Sequence, residues 1–254
     1  MARKILIAGN WKMNGLLEDG VNLAKEVASE VKKLGKPECE FLVCPPFTLL
    51  TSVKKALRGS KVALGAQDCH TAEKGAHTGD ISPLMLQNVG CSYALVGHSE
   101  RRADHLETNE LVCQKAQALH KAGLKAVICI GETLDERESG KTIEVCTKQI
   151  MGSVPDDASA SNTVIAYEPV WAIGTGKTPT AQEVQETHAA IRKVIAKKLG
   201  KGVANKMRLL YGGSVKPSNA KELLSLEDVD GALIGGASLK ATDFMSIAAS
   251  VCKK

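Results

Sequence analysis

The chain has 254 residues, 44% hydrophobic and 24% charged, with a net charge of +5, the balance of a globular protein with ample material for a large core. Aromatics make up only 3% and the cations are dispersed (Lys32-Lys33, Lys54-Lys55, Lys197-Lys198), which argues against a nucleic-acid surface with its clustered charge and stacking platforms. No apolar stretch approaches the length of a membrane span.

The chain opens Met-Ala-Arg-Lys and enters Ile5-Leu-Ile-Ala8 directly, without room for a leader, so a cytoplasmic protein is expected. Its eight cysteines form no Cys-x-x-Cys pair. Cys44, Cys91 and Cys129 lie in apolar runs, where a free thiol behaves as a small hydrophobe, so no disulfide framework or zinc ribbon is expected.

In chain order, apolar β-rich pieces recur at 4–9, 39–44, 61–66, 92–96, 126–130, 163–167, 208–211 and 231–234. Helical spacing fills the gaps. After the first strand Val21, Ala24, Ala28, Val31 and Leu34 share a face, and after the sixth Val184, Ile191, Ile195 and Leu199 do the same. Thr133-x-x-Glu136 and Thr180-x-x-Glu183 read as capping boxes that start helices. The strands are nearly continuous in apolar character, as in a parallel sheet covered on both faces. Eight strand–helix units in this length predict an α/β fold, a closed (β/α)8 barrel, as a single domain over 1–254. An open doubly wound sheet is the competitor. The third connection, 67–81, is long and polar, and loops of that length are usually functional or disordered.

Catalytic groups of a closed barrel come from the C-terminal ends of its strands. The first strand ends in Gly9-Asn10-Trp11-Lys12, and on an extended chain Asn10 and Lys12 face one side. The fourth delivers His98 into what reads as a helical first turn, whose amides disfavour an imidazolium. The sixth ends at Glu168, followed by a stiff Pro169-Val-Trp171 and a glycine-bearing tip with Gly174 and Gly176, the composition of a lid. The last two strands end in Gly212-Gly213-Ser214 and Gly235-Gly236, where backbone amides can approach a phosphate. A carboxylate base beside neutral donors, a cation and a phosphate cradle suits proton abstraction next to a carbonyl, through an enediolate. General acid–base action supplies roughly 10²–10⁴-fold, about 3–5 kcal/mol of barrier. Stabilising the oxyanion and binding the phosphate must provide the rest.

Five segments, Gly9-Asn-Trp-Lys-Met-Asn14, Gly97-His-Ser-Glu-Arg-Arg102, 166–177, Tyr211-Gly-Gly-Ser214 and Gly235-Gly-Ala-Ser238, closely resemble the triosephosphate isomerase family in order and spacing. The resemblance implies interconversion of dihydroxyacetone phosphate and glyceraldehyde 3-phosphate in glycolysis and gluconeogenesis. By it, Glu168 is the base, His98 the neutral electrophile and Lys12 the cation. Asn10, Gly174, Ser214, Gly235 and Gly236 bind substrate, while Ser99 and Glu100 support Glu168 and Lys12. It further implies no metal or organic cofactor, and a homodimer in which the third loop places Thr78 beside the partner's site. His77 at the tip of that loop and His105-Leu106 after the double Arg depart from the family pattern, with titratable groups where apolar ones are usual, so a dimer of altered strength that responds to pH is expected. Modifying Cys69, in the same loop, is expected to loosen it. The alternative reading is a catalytically silent phosphate-binding barrel acting as a scaffold.

Overall fold

Eight strands pair in parallel, each with its neighbour in sequence, and the last closes on the first. The computed structural model describes residues 3–173 and 178–252. The strands are Leu6–Asn10 (β1), Glu40–Cys44 (β2), Val62–Ala66 (β3), Tyr93–Val96 (β4), Lys125–Ile130 (β5), Thr163–Tyr167 (β6), Arg208–Tyr211 (β7) and Gly231–Ile234 (β8). Leu6 lies opposite both Glu40 of β2 and Gly231 of β8, so β1 has a partner on each side and the sheet has no edge. The open-sheet alternative is thereby overturned.

The helices between them are Leu17–Lys33 (α1), Leu50–Ala56 (α2), Pro83–Asn88 (α3), Ser99–Asp104 (α4), Asn109–Lys121 (α5), Leu134–Glu138 (α6), Thr142–Ser153 (α7), Ala181–Leu199 (α8), Lys201–Ala204 (α9), Ala220–Leu224 (α10) and Ala241–Ala249 (α11). Both sequence-level capping boxes form: Thr133 and Thr180 each accept the amide three residues on, while Glu136 and Glu183 reach back to the cap amides. On α1 the buried face is Ala24, Val27 and Val31, with Val21 and Ala28 only half-buried at its margin.

Alternation along each strand divides the core in two. Leu6, Ala8, Leu42, Leu95, Val127 and Val164 are among the side chains that fill the barrel, while Ile7, Phe41, Val43, Val96 and Ile128 pack outward under the helices. The strands therefore read as unbroken apolar runs because both faces are buried. Arg208 plugs the interior, bonding Glu40 Oε2 at 2.7 Å and the Tyr93 hydroxyl at 3.1 Å, so the charge is compensated where it is desolvated.

One expectation about the thiols fails. Cys39, just before β2, and Cys252, just after α11, form a disulfide with Cα atoms 5.4 Å apart across a sequence separation of 213. No local spacing could announce it, because barrel closure brings the first quarter of the chain to its end. The bond constrains nearly the whole unfolded chain, so Cys39→Ser is expected to cost about 2–4 kcal/mol. At this size, that lowers the thermal midpoint by roughly 5–15 °C. Scanning calorimetry with and without reductant checks it: the wild type should fall to the variant's midpoint on reduction, and the variant should not respond.

Candidate active site

The C-terminal ends of the strands surround a cleft of about 720 Å³ lined by Asn10, Lys12, His98, Glu168, Ser214, Gly235 and Gly236, among others. Seven of the residues singled out from the sequence thus meet in one place; Gly174 lies outside the described residues. Asn10 and Lys12 get there differently from expected. The chain leaves β1 in a left-handed turn at Lys12 (φ 52°), not as an extended strand. This is an uncommon conformation for a residue with a side chain, and it clusters where function requires it. Two contacts hold it: the Lys12 amide donates to Asn10 Oδ1 at 3.0 Å, and Gln67 Nε2 donates to the Lys12 carbonyl at 2.8 Å. The ammonium group then reaches Glu100 Oε1 at 2.5 Å.

His98 caps α4, and the amide of Glu100 donates to its Nδ1 at 3.2 Å. That fixes the neutral tautomer with hydrogen on Nε2, which donates to Glu168 Oε1 at 2.9 Å. The second carboxylate oxygen of Glu168 accepts the Ser99 amide at 3.3 Å. Burial pulls the His98 pKa down, but the charge and hydrogen bond of Glu168 outweigh it, so the net direction is upward. The helix-turn amide therefore does not by itself depress this imidazole, as the sequence suggested; its neighbour decides. Apart from Glu168, burial, Lys12 and the Glu100 amide favour the neutral ring, and the Glu100 carboxylate opposes them. Cys129, buried against Glu168, has its thiol pushed well up by burial and then by that carboxylate, and stays protonated.

Glu168 is 2% exposed, and its position depends on two glycines. A Cβ on Gly212 would lie 2.7 Å from Glu168 Cγ. One on Gly131, after β5, would overlap the Glu168 carbonyl group. The backbone cannot withdraw, since the Glu168 amide is tied to the Ile130 carbonyl at 2.7 Å. Gly131→Ala must therefore displace Glu168. A misplacement of about 1 Å costs on the order of 10²-fold in rate, and the overpacking costs about 1–3 kcal/mol. Steady-state assay and thermal melting of the variant are expected to show both losses together.

A further residue escaped the sequence reading. Glu132 is fully buried, and its Oε1 accepts from the Tyr167 hydroxyl at 3.1 Å and from Trp171 Nε1 at 2.9 Å. Its carbonyl takes the Val170 amide at 3.0 Å, and the Arg137 guanidinium lies over the Trp171 ring at 4.5 Å. Glu132 thus anchors the segment that follows Glu168, whose Val170–Ala172 forms a single 3-10 turn. An acid between Gly131 and a helix cap offers no local signal of that contact.

Beside the cleft a groove of about 530 Å³ is lined by Met13, Phe47, Gln67, Glu100 and His105, together with Asn10 and Lys12. Met13 and Leu106 stand exposed at 94% and 82%. Thr78 is exposed on the loop between β3 and α3. Cys69, in that loop, is buried, and burial pushes its thiol up, so reagents reach it slowly.

A family model described as triosephosphate isomerase matches residues 5–251. The chain is 56% identical over 246 residues to the triosephosphate isomerase of Chelativorans sp., covering 97% of this chain and 96% of that protein. It is 53% identical over 249 residues to that of Bradyrhizobium diazoefficiens, with 96% of each covered. The crystal structure of triosephosphate isomerase from Bartonella henselae superposes with a TM-score of 0.90 at 48% identity, covering 97% of this chain and 98% of that one. With fold, cleft and near-complete coverage in agreement, the chain belongs to the triosephosphate isomerase family.

Proposed function

We propose that Glu168, His98 and Lys12 carry out the family's reaction, the interconversion of dihydroxyacetone phosphate and glyceraldehyde 3-phosphate. The observation that carries this reading is that all three face the one cleft that also holds both glycine pairs. Glu168 leaves Ser99 and His98, takes a proton from the carbon beside the substrate carbonyl, and returns it to the neighbouring carbon. His98 Nε2–H donates to the substrate oxygens as negative charge develops there, and a proton passes from the substrate hydroxyl oxygen to the former carbonyl oxygen, so that the carbonyl changes carbon. Lys12 stabilises that charge and the phosphate. Asn10, buried at the end of β1, supports a substrate oxygen, while Ser214, Gly235 and Gly236 offer the phosphate a wall with little side-chain bulk. Gly174 adds its amide when the segment anchored by Glu132 closes.

The same reading makes the chain a single domain over 1–254, since every strand of the described residues belongs to one barrel. It makes the protein a homodimer through the loop bearing Thr78, supported by the apolar side chains exposed beside the groove at Asn10 and Lys12. A glycolytic role places it in the cytoplasm, and no described helix is long and apolar enough to cross a membrane. The scaffold alternative has no support in a chain that retains the base, the electrophile and the cation. A coupled assay for triose phosphate interconversion, run on the wild type and Glu168→Gln, tests the whole. A wild type without turnover would defeat the activity, and an unimpaired variant would defeat the role of Glu168.

A further inference from the structure

The end of β5 guides the backbone that carries Glu168. The Glu168 amide donates to the Ile130 carbonyl at 2.7 Å, and the Val170 amide donates to the Glu132 carbonyl at 3.0 Å. Gly131 lies between these two anchors, and its own amide and carbonyl take no part in that pairing. On the other side of β5 the neighbouring strand has already gone. The register of β4 with β5 ends at Val96 opposite Ile128, and Gly97 (φ 67°) turns the chain toward α4. Backbone groups so close to the core still need partners, and side chains take the place of the missing strand. Arg102 Nη2 donates to the Cys129 carbonyl at 3.3 Å. Gln149, on α7, meets Gly131 with both ends of its amide. Its Oε1 accepts the Gly131 N–H at 2.7 Å, and its Nε2 donates to the Gly131 carbonyl at 3.1 Å.

We propose that Gln149 is a positioning residue for the base: it fixes the Gly131 peptide and, through it, the resting place of Glu168. The inference rests on the role proposed above for Glu168. Gly131 transmits the constraint by direct contact, since a Cβ there would lie 1.7 Å from the Glu168 carbonyl oxygen. Packing alone does not fix Gly131, because it lines a cavity of about 260 Å³ together with Gln149, Ser99, Thr133 and Glu168. A peptide beside a cavity, held by two hydrogen bonds, shifts when those bonds are lost. Glutamine suits the position because its amide carries both an acceptor for an N–H and a donor for a carbonyl. An ionised glutamate would set a second acceptor against the Gly131 carbonyl, and methionine would fill the space while offering neither bond.

The test is Gln149→Met in the full-length protein. The variant is expected to lose roughly 10–100-fold in kcat, the consequence of moving a catalytic group by up to about 1 Å. KM for the triose phosphate should stay within about twofold, because the phosphate is held by Ser214, Gly235 and Gly236 at the ends of β7 and β8. A second readout needs no turnover. His98 Nε2 lies 2.9 Å from Glu168 Oε1, with Glu100 and Lys12 the other charged groups acting on the ring. Burial lowers the His98 pKa and Glu168 more than restores it, so a displaced Glu168 should lower the His98 midpoint in an NMR titration.

A lowered thermal midpoint with kcat and the His98 titration both unchanged would make Gln149 merely structural and overturn the proposal. In the wild type, the half-buried Gly131 amide should exchange slowly with solvent deuterium. Exchange at the rate of an unbonded amide overturns the proposal without any variant having to fold. A wild type without turnover would defeat the reaction assigned to Glu168, and the His98 titration would still decide whether Gln149 places that side chain.

Discussion

Glu168→Gln is expected to lower turnover by about 10²–10⁴-fold with the fold intact. Glutamine keeps the shape of the side chain and its carbonyl can still accept from Ser99 or His98, but it cannot take a proton. The site is 2% exposed, so a neutral amide escapes the desolvation that a carboxylate bears there, and above neutrality stability should not fall. The substitution has a second consequence at His98. The carboxylate of Glu168 is what holds the imidazole's pKa above its ordinary 6.5 against burial, so removing that charge should bring it down. A raised histidine value stabilises the folded state below the unfolded pKa, and that contribution fades as pH rises through the folded one. The wild type should therefore lose some stability on passing through neutrality that the variant never had. An NMR titration of His98 beside the coupled assay checks both effects, and an unchanged His98 titration would contradict the influence of Glu168 on that ring.

Lys12→Met is expected to reduce kcat/KM by about 10²–10³-fold, the range for losing one preorganised stabiliser of developing charge. Methionine preserves most of the apolar stem, so packing changes little. The ammonium group is paired with Glu100 at 2.5 Å, and its removal leaves that partner half-exposed to water rather than stranded. Lys12 faces both the phosphate and the enediolate in the proposed reaction, so KM should rise and kcat should fall. A rise in KM alone would restrict Lys12 to ground-state binding. Lys12→Arg is expected to recover only part of the loss, because the planar guanidinium does not replace a compact ammonium ion held by a left-handed turn.

Most of the architecture and most of the site could be read before any coordinates. Period, length and caps are local properties, written by neighbouring residues. For that reason 163–167, 208–211 and 231–234 match β6, β7 and β8 in full, and Thr133 and Thr180 cap as expected. Strand ends of a closed barrel converge, so Asn10, Lys12, His98, Glu168 and the glycine pairs could be named as one site although 226 positions separate Asn10 from Gly236.

The sequence by itself therefore determined eight buried strands, their alternation with helices and the chemical groups at the mouth. Only the tertiary structure decided how those groups are held. Glu132 under Trp171, Gly131 against the Glu168 carbonyl, the turn at Lys12 clamped by Gln67, and the Cys39–Cys252 bond all join elements distant in the chain. The physical reason is that a residue's neighbours set its backbone preference, whereas its contacts across the barrel exist only after the sheet has closed. His98 shows the difference within one side chain. Its place at the mouth follows from an apolar run that ends there, and its protonation follows from a carboxylate brought to it from 70 residues away.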